Sequence, residues 1–283
     1  MNKTKKKLCY NCSGTTSKTR SKVKKQIADW KQEMGLKTHY PADKIMECKT
    51  KYPAKFNTSY KLNVGEKHQG RYVYYYCATQ KNSNDCLTPL HASKAYGKDF
   101  PNKGVAKINK NGEAIVKFEC PQSYYVNNND KLHVPHLHYF ISNNNNSGWN
   151  PTLYTQRIIC HLDKKQLQQL IKTQCAVIIN ALPYAEYIKN RIPNSVPLPY
   201  TIATQHQVSK KQLIDYIQDM LVHYPKIHNK VKQGKLDILN VPIVVYCYKS
   251  TCNASMLLIE ELIEMGFKDI REYPGGIVDW IKK

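Results

Sequence analysis

The residues best placed for chemistry are two thiols near the C-terminus. In Val244-Val-Tyr-Cys247-Tyr-Lys-Ser-Thr-Cys252-Asn-Ala-Ser255, the apolar run Val241–Cys247 ends in a cysteine, and a short loop follows before a helix. Open α/β sheets hold ligands at the carboxyl ends of their strands, which is where such a run delivers Cys247. Backbone N–H groups of a loop entering a helix, together with the helix dipole, stabilise an anion. A thiol held there has a depressed pKa and raised reactivity. This predicts Cys247 as a nucleophile, with Tyr248, Lys249, Ser250, Thr251 and Cys252 as the loop that cradles its anion and Lys249 adding positive charge at the rim. Cys252 has two alternative roles: resolving an oxidised or persulfidated Cys247 as a disulfide, or acting as the nucleophile itself. Local chemistry fits equally well with Cys247 as a small hydrophobe closing a buried strand.

A second group lies in the middle of the chain. In His133-Val-Pro-His136-Leu-His138, a strand would point His136 and His138 to one face, so that both imidazoles reach one metal ion. Tyr124, upstream in Pro121-Gln-Ser-Tyr124-Tyr125-Val126, could add a phenolate. Chance alternation on a strand also produces His-x-His, so the spacing alone leaves a metal-free reading open. A third group, Cys9-Tyr-Asn-Cys12, has the gap of a zinc half-site but no clear second half, and it reads equally as a basic tail with two thiols.

Three segments must position these groups. Residues 1–35 are a basic N-terminal segment with the CxxC, including a helical pattern over Val23–Met34. Residues 36–158 read as an antiparallel β-sandwich domain. Its expected strands are Arg71–Cys77, Gly104–Ile108, Glu113–Phe118 and Leu137–Ile141, with Asn111-Gly112 signalling a hairpin between the second and third. Residues 159–283 alternate strands and helices, which implies an α/β domain with a parallel sheet and helices on both faces. There Asp163 is expected to cap a helix through Lys172, and Ala176–Asn180 and Val241–Cys247 to form strands. Further helices are expected at Tyr184–Asn190, Ser209–His223 and Ser255–Met265, the last capped by Ser255 and stopped at Gly266. Asp269–Tyr273 would be the final strand before a helix opened by Gly275-Gly276.

Composition narrows the function classes. The 283 residues carry a net charge of +22, with 27 basic and 10 acidic groups in residues 1–158 but 16 and 11 in residues 159–283. That excess in the N-terminal half predicts contact with polyanions, while an abundance of Lys, Asn, Ile and Tyr gives a compositional account of the same charge. No apolar run is long enough to span a bilayer and no export signal is visible, so no membrane partner and an intracellular, cytoplasmic location are expected. In that setting the ten cysteines read as reactive or metal-bound thiols sooner than as a disulfide framework.

Residues 160–283 resemble the rhodanese family. The likeness rests on His161–Leu170, Ala176–Asn180, Ile192-Pro-Asn-Ser-Val196 with Pro197–Pro199, the strand and loop at Cys247, Gly266-Phe267, Tyr273, and Gly275-Gly276-Ile277 through Trp280. The resemblance implies a sulfurtransferase in which Cys247 attacks a sulfur donor such as thiosulfate, carries a persulfide and passes sulfur to an unknown thiol acceptor, with no cofactor required. Asn180 replaces the family's Asp, Leu182 stands where Arg is common, and the loop is about two residues longer and lacks its usual Arg. The alternative is an inactive rhodanese fold serving as a binding or virion structural component, since composition and fusion resemble proteins of large DNA viruses.

Residues 91–156 resemble the intradiol ring-cleavage dioxygenase β-sandwich, through the Gly104–Phe118 hairpin, Tyr124, His136, His138 and Leu153–Gln156. That likeness implies iron or another metal at Tyr124, His136 and His138. Asp99 and Phe100 stand near the place of the family's first tyrosine, with Tyr96 displaced from it, and His133 takes the place of a substrate-contacting arginine.

Overall fold

A computed structural model describes residues 46–79, 86–97, 100–125, 132–204 and 208–282. Cys9, Cys12, the basic segment 1–35 and the expected helix Val23–Met34 lie outside the described residues. In chain order the strands are β1 (Thr58–Asn63), β2 (Tyr72–Cys77), β3 (Leu90–His91), β4 (Lys103–Lys107), β5 (Glu113–Phe118), β6 (Tyr124–Tyr125), β7 (Leu132–His133), β8 (His136–Ile141) and β9 (Tyr154–Arg157). They continue with β10 (Cys160–His161), β11 (Val177–Asn180), β12 (Ser195–Pro197), β13 (Ile243–Tyr246) and β14 (Ile270–Tyr273). The described residues divide into two compact units, one of 46–79, 90–97, 100–125 and 135–158, the other of 86–89, 132–134, 159–204 and 208–282.

The first unit is built on antiparallel sheets, one ordered β4-β2-β8-β9 and one pairing β1 with β5. The run of three tyrosines in β2 is buried on both faces, which is why it shows no polar alternation. Tyr74 and Tyr76 enter an aromatic cluster with Tyr96, Tyr124 and Phe140. Tyr75 faces the other way. Its hydroxyl donates to the Lys117 carbonyl at 2.7 Å and accepts from the Lys117 N–H at 3.1 Å, tying β2 to β5. The Asn111-Gly112 turn forms, with Gly112 at φ +71° and its N–H donating to the Asn109 carbonyl. The expected hairpin does not continue into a shared ladder. After one bridge, Ile108 to Ala114, β4 pairs with β2 and β5 with β1. β3 and β6 add a short parallel pair, a departure from a wholly antiparallel unit.

The second unit is a five-stranded parallel sheet ordered β10-β14-β13-β11-β12. Alternation along the strands assigns its two faces. Ile178, Val244, Tyr246 and Tyr273 pack against Leu167 and Leu170 of the helix Lys164–Thr173 and Ile277 of the helix Gly276–Ile281. Glu272, one residue before Tyr273, points to the opposite face, where it meets Ser255 of the helix Ala254–Met265. Helices therefore cover both faces, as the alternating pattern predicts.

The expected caps hold at Asp163, whose side chain accepts from the Gln166 N–H in a reciprocal capping box, and at Gly266, left-handed at φ +104°. Ser255 is not a cap. The helix begins at Ala254 with Asn253 before it, and Ser255 is buried in the first turn with its hydroxyl aimed at other side chains. The thiol expectation also needs correction: Cys86 and Cys175 form a disulfide within the second unit, closing a separation of 89 residues with Cα atoms 5.8 Å apart. Among the described residues, no helix is long and apolar enough to cross a membrane.

Candidate functional site

Cys247 sits immediately beyond the carboxyl end of β13, the central strand of the parallel sheet, and its residue is 1% exposed. The four residues of β13 are wholly buried, and the last helix bonds to the two residues that follow the strand. The Ile277 N–H donates to the Cys247 carbonyl at 3.1 Å and the Val278 N–H to the Tyr248 carbonyl at 3.0 Å. Gly276 makes that approach possible: at φ +60°, a Cβ there would lie 2.5 Å from the Cys247 carbonyl oxygen. The Gly-Gly pair before Ile277 is thus a close-contact requirement for holding the loop after Cys247.

The sulfur has a specific polar environment. The Ser255 hydroxyl lies 3.3 Å from Cys247 Sγ, and the carbonyl oxygens of Cys252 and Lys249 lie 3.4 and 3.7 Å from it. Of the expected N–H groups the Ser255 N–H reaches the sulfur, while the turn in which the Cys252 N–H donates to the Lys249 carbonyl leaves two carbonyl oxygens facing it as well. Burial pushes the Cys247 thiol up to about 11, opposed by hydrogen bonds from the Ser255 side chain and backbone and reinforced by Cys252. Cys252 is half-buried, unbridged and interacts with Cys247. Tyr248, Lys249, Ser250 and Thr251 are exposed.

Beyond Ser255 the contacts continue. Its hydroxyl is 2.7 Å from Glu272 Oε1, and Glu272 Oε2 is 3.0 Å from His161 Nε2. The sheet register sets this up, since His161 of β10 and Val245 of β13 both pair with Glu272 of β14. Neither Glu272 nor the linking role of Ser255 was marked by sequence. On the other face, Asn180 donates through Nδ2 to the Tyr246 hydroxyl at 3.0 Å and accepts the Leu182 N–H at 2.8 Å, so its amide serves strand-to-strand bonding.

The first unit brings its three expected residues together and adds a fourth. The Tyr124 hydroxyl is 2.9 Å from His136 Nε2, which is 3.0 Å from His138 Nε2, and the Tyr96 hydroxyl is 2.9 Å from that of Tyr124. All four side chains are at most 3% exposed. β8 places His136 and His138 on one face, β6 supplies Tyr124, and Tyr96 follows the short helix Ala92–Ala95. His138 Nδ1 lies 2.9 Å from Thr155 Oγ1; with the ring donating there, Nε2 keeps a lone pair toward the cluster. Burial, and for Tyr96 the neighbouring Tyr124, raise both phenols well above the usual tyrosine range. Among the described residues no three His, Cys, Asp or Glu gather to hold a metal; this donor set is instead two phenols and two imidazoles. Tyr96 was the residue discounted on spacing, and the structure brings it in.

The family model described as a rhodanese-like domain matches residues 163–283. Solved structures to which the chain is similar include the human single-domain sulfurtransferase TSTD1, 14% identical, covering 44% of this chain and 96% of that one with a TM-score of 0.31. The Saccharomyces cerevisiae single-domain sulfurtransferase RDL2 is 14% identical over 45% of this chain and 93% of that one, TM-score 0.32. A rhodanese-related protein from Thermoplasma volcanium is 19% identical over 43% and 90%, TM-score 0.28. No curated protein matches the chain.

Proposed function

We propose that the second unit is a sulfurtransferase in which Cys247 carries sulfane sulfur as a persulfide. The observation that carries this reading is the buried Cys247 sulfur at the carboxyl end of the central parallel strand, in a domain matched by the rhodanese-like family model. In the transfer, the Cys247 thiolate attacks the outer sulfur of thiosulfate, the S–S bond of the donor breaks and sulfite leaves with its electron pair. The Cys247 persulfide then gives its terminal sulfur to an acceptor thiolate and returns as thiolate. With the thiol raised to about 11, the free thiolate fraction grows as pH rises toward that value. Loading is therefore expected to be faster in the alkaline range than at neutral pH.

Incubation with thiosulfate followed by intact-mass measurement tests this. The expected result is a gain of one sulfur atom, lost in Cys247→Ser and discharged by cyanide as thiocyanate. A wild-type protein that gains no sulfur leaves the binding or virion structural role as the reading of this unit. Persistence of the adduct in Cys247→Ser with its loss in Cys252→Ser would move the nucleophile to Cys252.

A second reading concerns the first unit, and the four convergent donors favour it. The successive spacings of 2.9–3.0 Å from Tyr96 through Tyr124 and His136 to His138 bring the donors close enough to share one small cation, and the Thr155 contact to His138 orients an imidazole as metal ligands are oriented. Tyr96, Tyr124, His136 and His138 would hold iron or a similar hard cation, which would supply Lewis-acid chemistry there. Metal analysis of the purified chain is expected to show bound metal in wild type and little in His136→Ala/His138→Ala. Equal content in both would remove the site. The basic N-terminal half is proposed to dock to polyanions.

A further inference from the structure

The linked side chains behind Cys247 form an unbroken path from the buried thiol to a half-exposed imidazole. Cys247 Sγ, Ser255 Oγ, Glu272 Oε1 and Oε2, and His161 Nε2 follow one another at 3.3, 2.7 and 3.0 Å. Ser255 is fully buried and Glu272 is 5% exposed, whereas the His161 side chain is 30% exposed. A serine hydroxyl has one proton to give and lone pairs to accept another. If Ser255 donates to the Glu272 carboxylate, its oxygen is left to accept the Cys247 S–H. If Glu272 is protonated and donates to Ser255, the hydroxyl proton points at a Cys247 thiolate. The same heavy-atom positions serve both states, which differ only by the shift of two protons.

We propose that Ser255 and Glu272 relay the Cys247 thiol proton, with Glu272 holding it as a carboxylic acid while the sulfur is a thiolate and His161 linking the carboxyl group to solvent. This rests on Cys247 being the reactive thiol of the sulfurtransfer reading. In atoms, Cys247–SH gives its proton to Ser255, Ser255 gives its own to the Glu272 carboxylate, and the products are a thiolate and a carboxylic acid with no net change in charge. The thiolate then attacks as described above. The need for such a base follows from the surroundings of the sulfur: it is buried and faced by the Lys249 and Cys252 carbonyls, the loop carries no arginine and its Lys249 is exposed, so burial outweighs the hydrogen bonds from Ser255 that favour the thiolate. Among the described residues, the groups facing the path include Cys252 from the loop, Ser255 from the helix Ala254–Met265 and His161 from β10, while β13 contributes the apolar Val245. Glu272 is a positioning residue, since it reaches the sulfur only through Ser255.

The test is the pH profile of Cys247 alkylation by iodoacetamide in the full chain. Cleavage after Lys249 places Cys247 and Cys252 on separate peptides, so each thiol is read by itself. With the carboxylate as the proton acceptor, formation of the reactive thiolate does not depend on hydroxide. Wild type should therefore show a reactive plateau through neutral pH and a second rise in the alkaline range. Glu272→Gln, which keeps the shape but holds no transferable proton, should lose the plateau and rise only in the alkaline limb, about a hundredfold slower at neutral pH. Ser255→Ala should give the same single-limbed curve, which keeps the test decisive if Glu272→Gln does not fold. Superimposable profiles for wild type and the folded variants, or a uniform slowing with unchanged shape, overturn the relay. A two-limbed wild-type profile from a protein that takes no sulfur from thiosulfate would overturn sulfurtransfer alone.

Discussion

The hydroxyl of Tyr246 gathers three partners at the end of β13. It accepts from the Ile192 N–H at 3.0 Å and from Asn180 Nδ2 at 3.0 Å, and it shares a 2.8 Å contact with the Ser195 hydroxyl. Every group in this knot is buried, so deleting one oxygen strands a backbone and a side-chain donor. Tyr246→Phe is expected to cost about 2–3 kcal/mol in denaturant unfolding while leaving a hydrophobic ring in place. A change below a few tenths would show that water replaces the hydroxyl. At this scale the sequence was partly legible. Cys247, His136, His138 and Tyr124 stand out because their types are reactive and their spacing is local. Glu272, Ser255 and Tyr96 do not, because each acquires its neighbour only through pairing across strands or a chain turn. Asn180, conspicuous as a departure from the family, holds the strands together through its amide.

At the scale of elements, periodicity and caps decided most of what could be read. The helix Lys164–Thr173 and the strands β11 and β13 follow from Asp163 and from apolar runs long enough to be buried on both faces, whereas β10 and β12 are too short to show a pattern. The pairing of β4 and β5 does not follow from Asn111-Gly112, because a turn residue fixes local dihedrals but not which ladder each strand joins. Tyr75, bonding both polar groups of Lys117, holds β5 against the back of β2 while β5 pairs with β1. The last helix has a sharper dependence. Gly276→Ala puts a methyl carbon against the Cys247 and Tyr248 backbone in a left-handed conformation. It is expected to cost about 1–3 kcal/mol and to displace the loop at Cys247. Sulfur loading should fall more than stability does; loading at the wild-type rate would mean that the loop keeps its position without this contact.

At the scale of the whole molecule, the uneven charge and the change from β-rich to alternating sequence near residue 159 are visible in composition, because both average over many residues. The membership of residues 86–89 in the second unit is not, since it comes from contacts with positions far along the chain. The Cys86–Cys175 disulfide anchors that segment, with Leu87 buried beside it. Lys226 Nζ lies 3.6 and 3.8 Å from the two sulfurs, and Lys230 Nζ donates to the Thr88 hydroxyl at 2.9 Å. A link closing a loop of this length restricts the unfolded chain and stabilises by about 4 kcal/mol in the loop-entropy account. Cys86→Ser/Cys175→Ser is therefore expected to lower the unfolding midpoint without abolishing the parallel sheet, whose strands pair independently of the link. The double variant should also equal wild type in persulfide loading, since neither sulfur touches the path from Cys247 to His161. An unchanged midpoint under oxidising conditions would show that the segment contributes nothing through its link. Lost loading in a stably folded double variant would instead couple the disulfide to the thiol site.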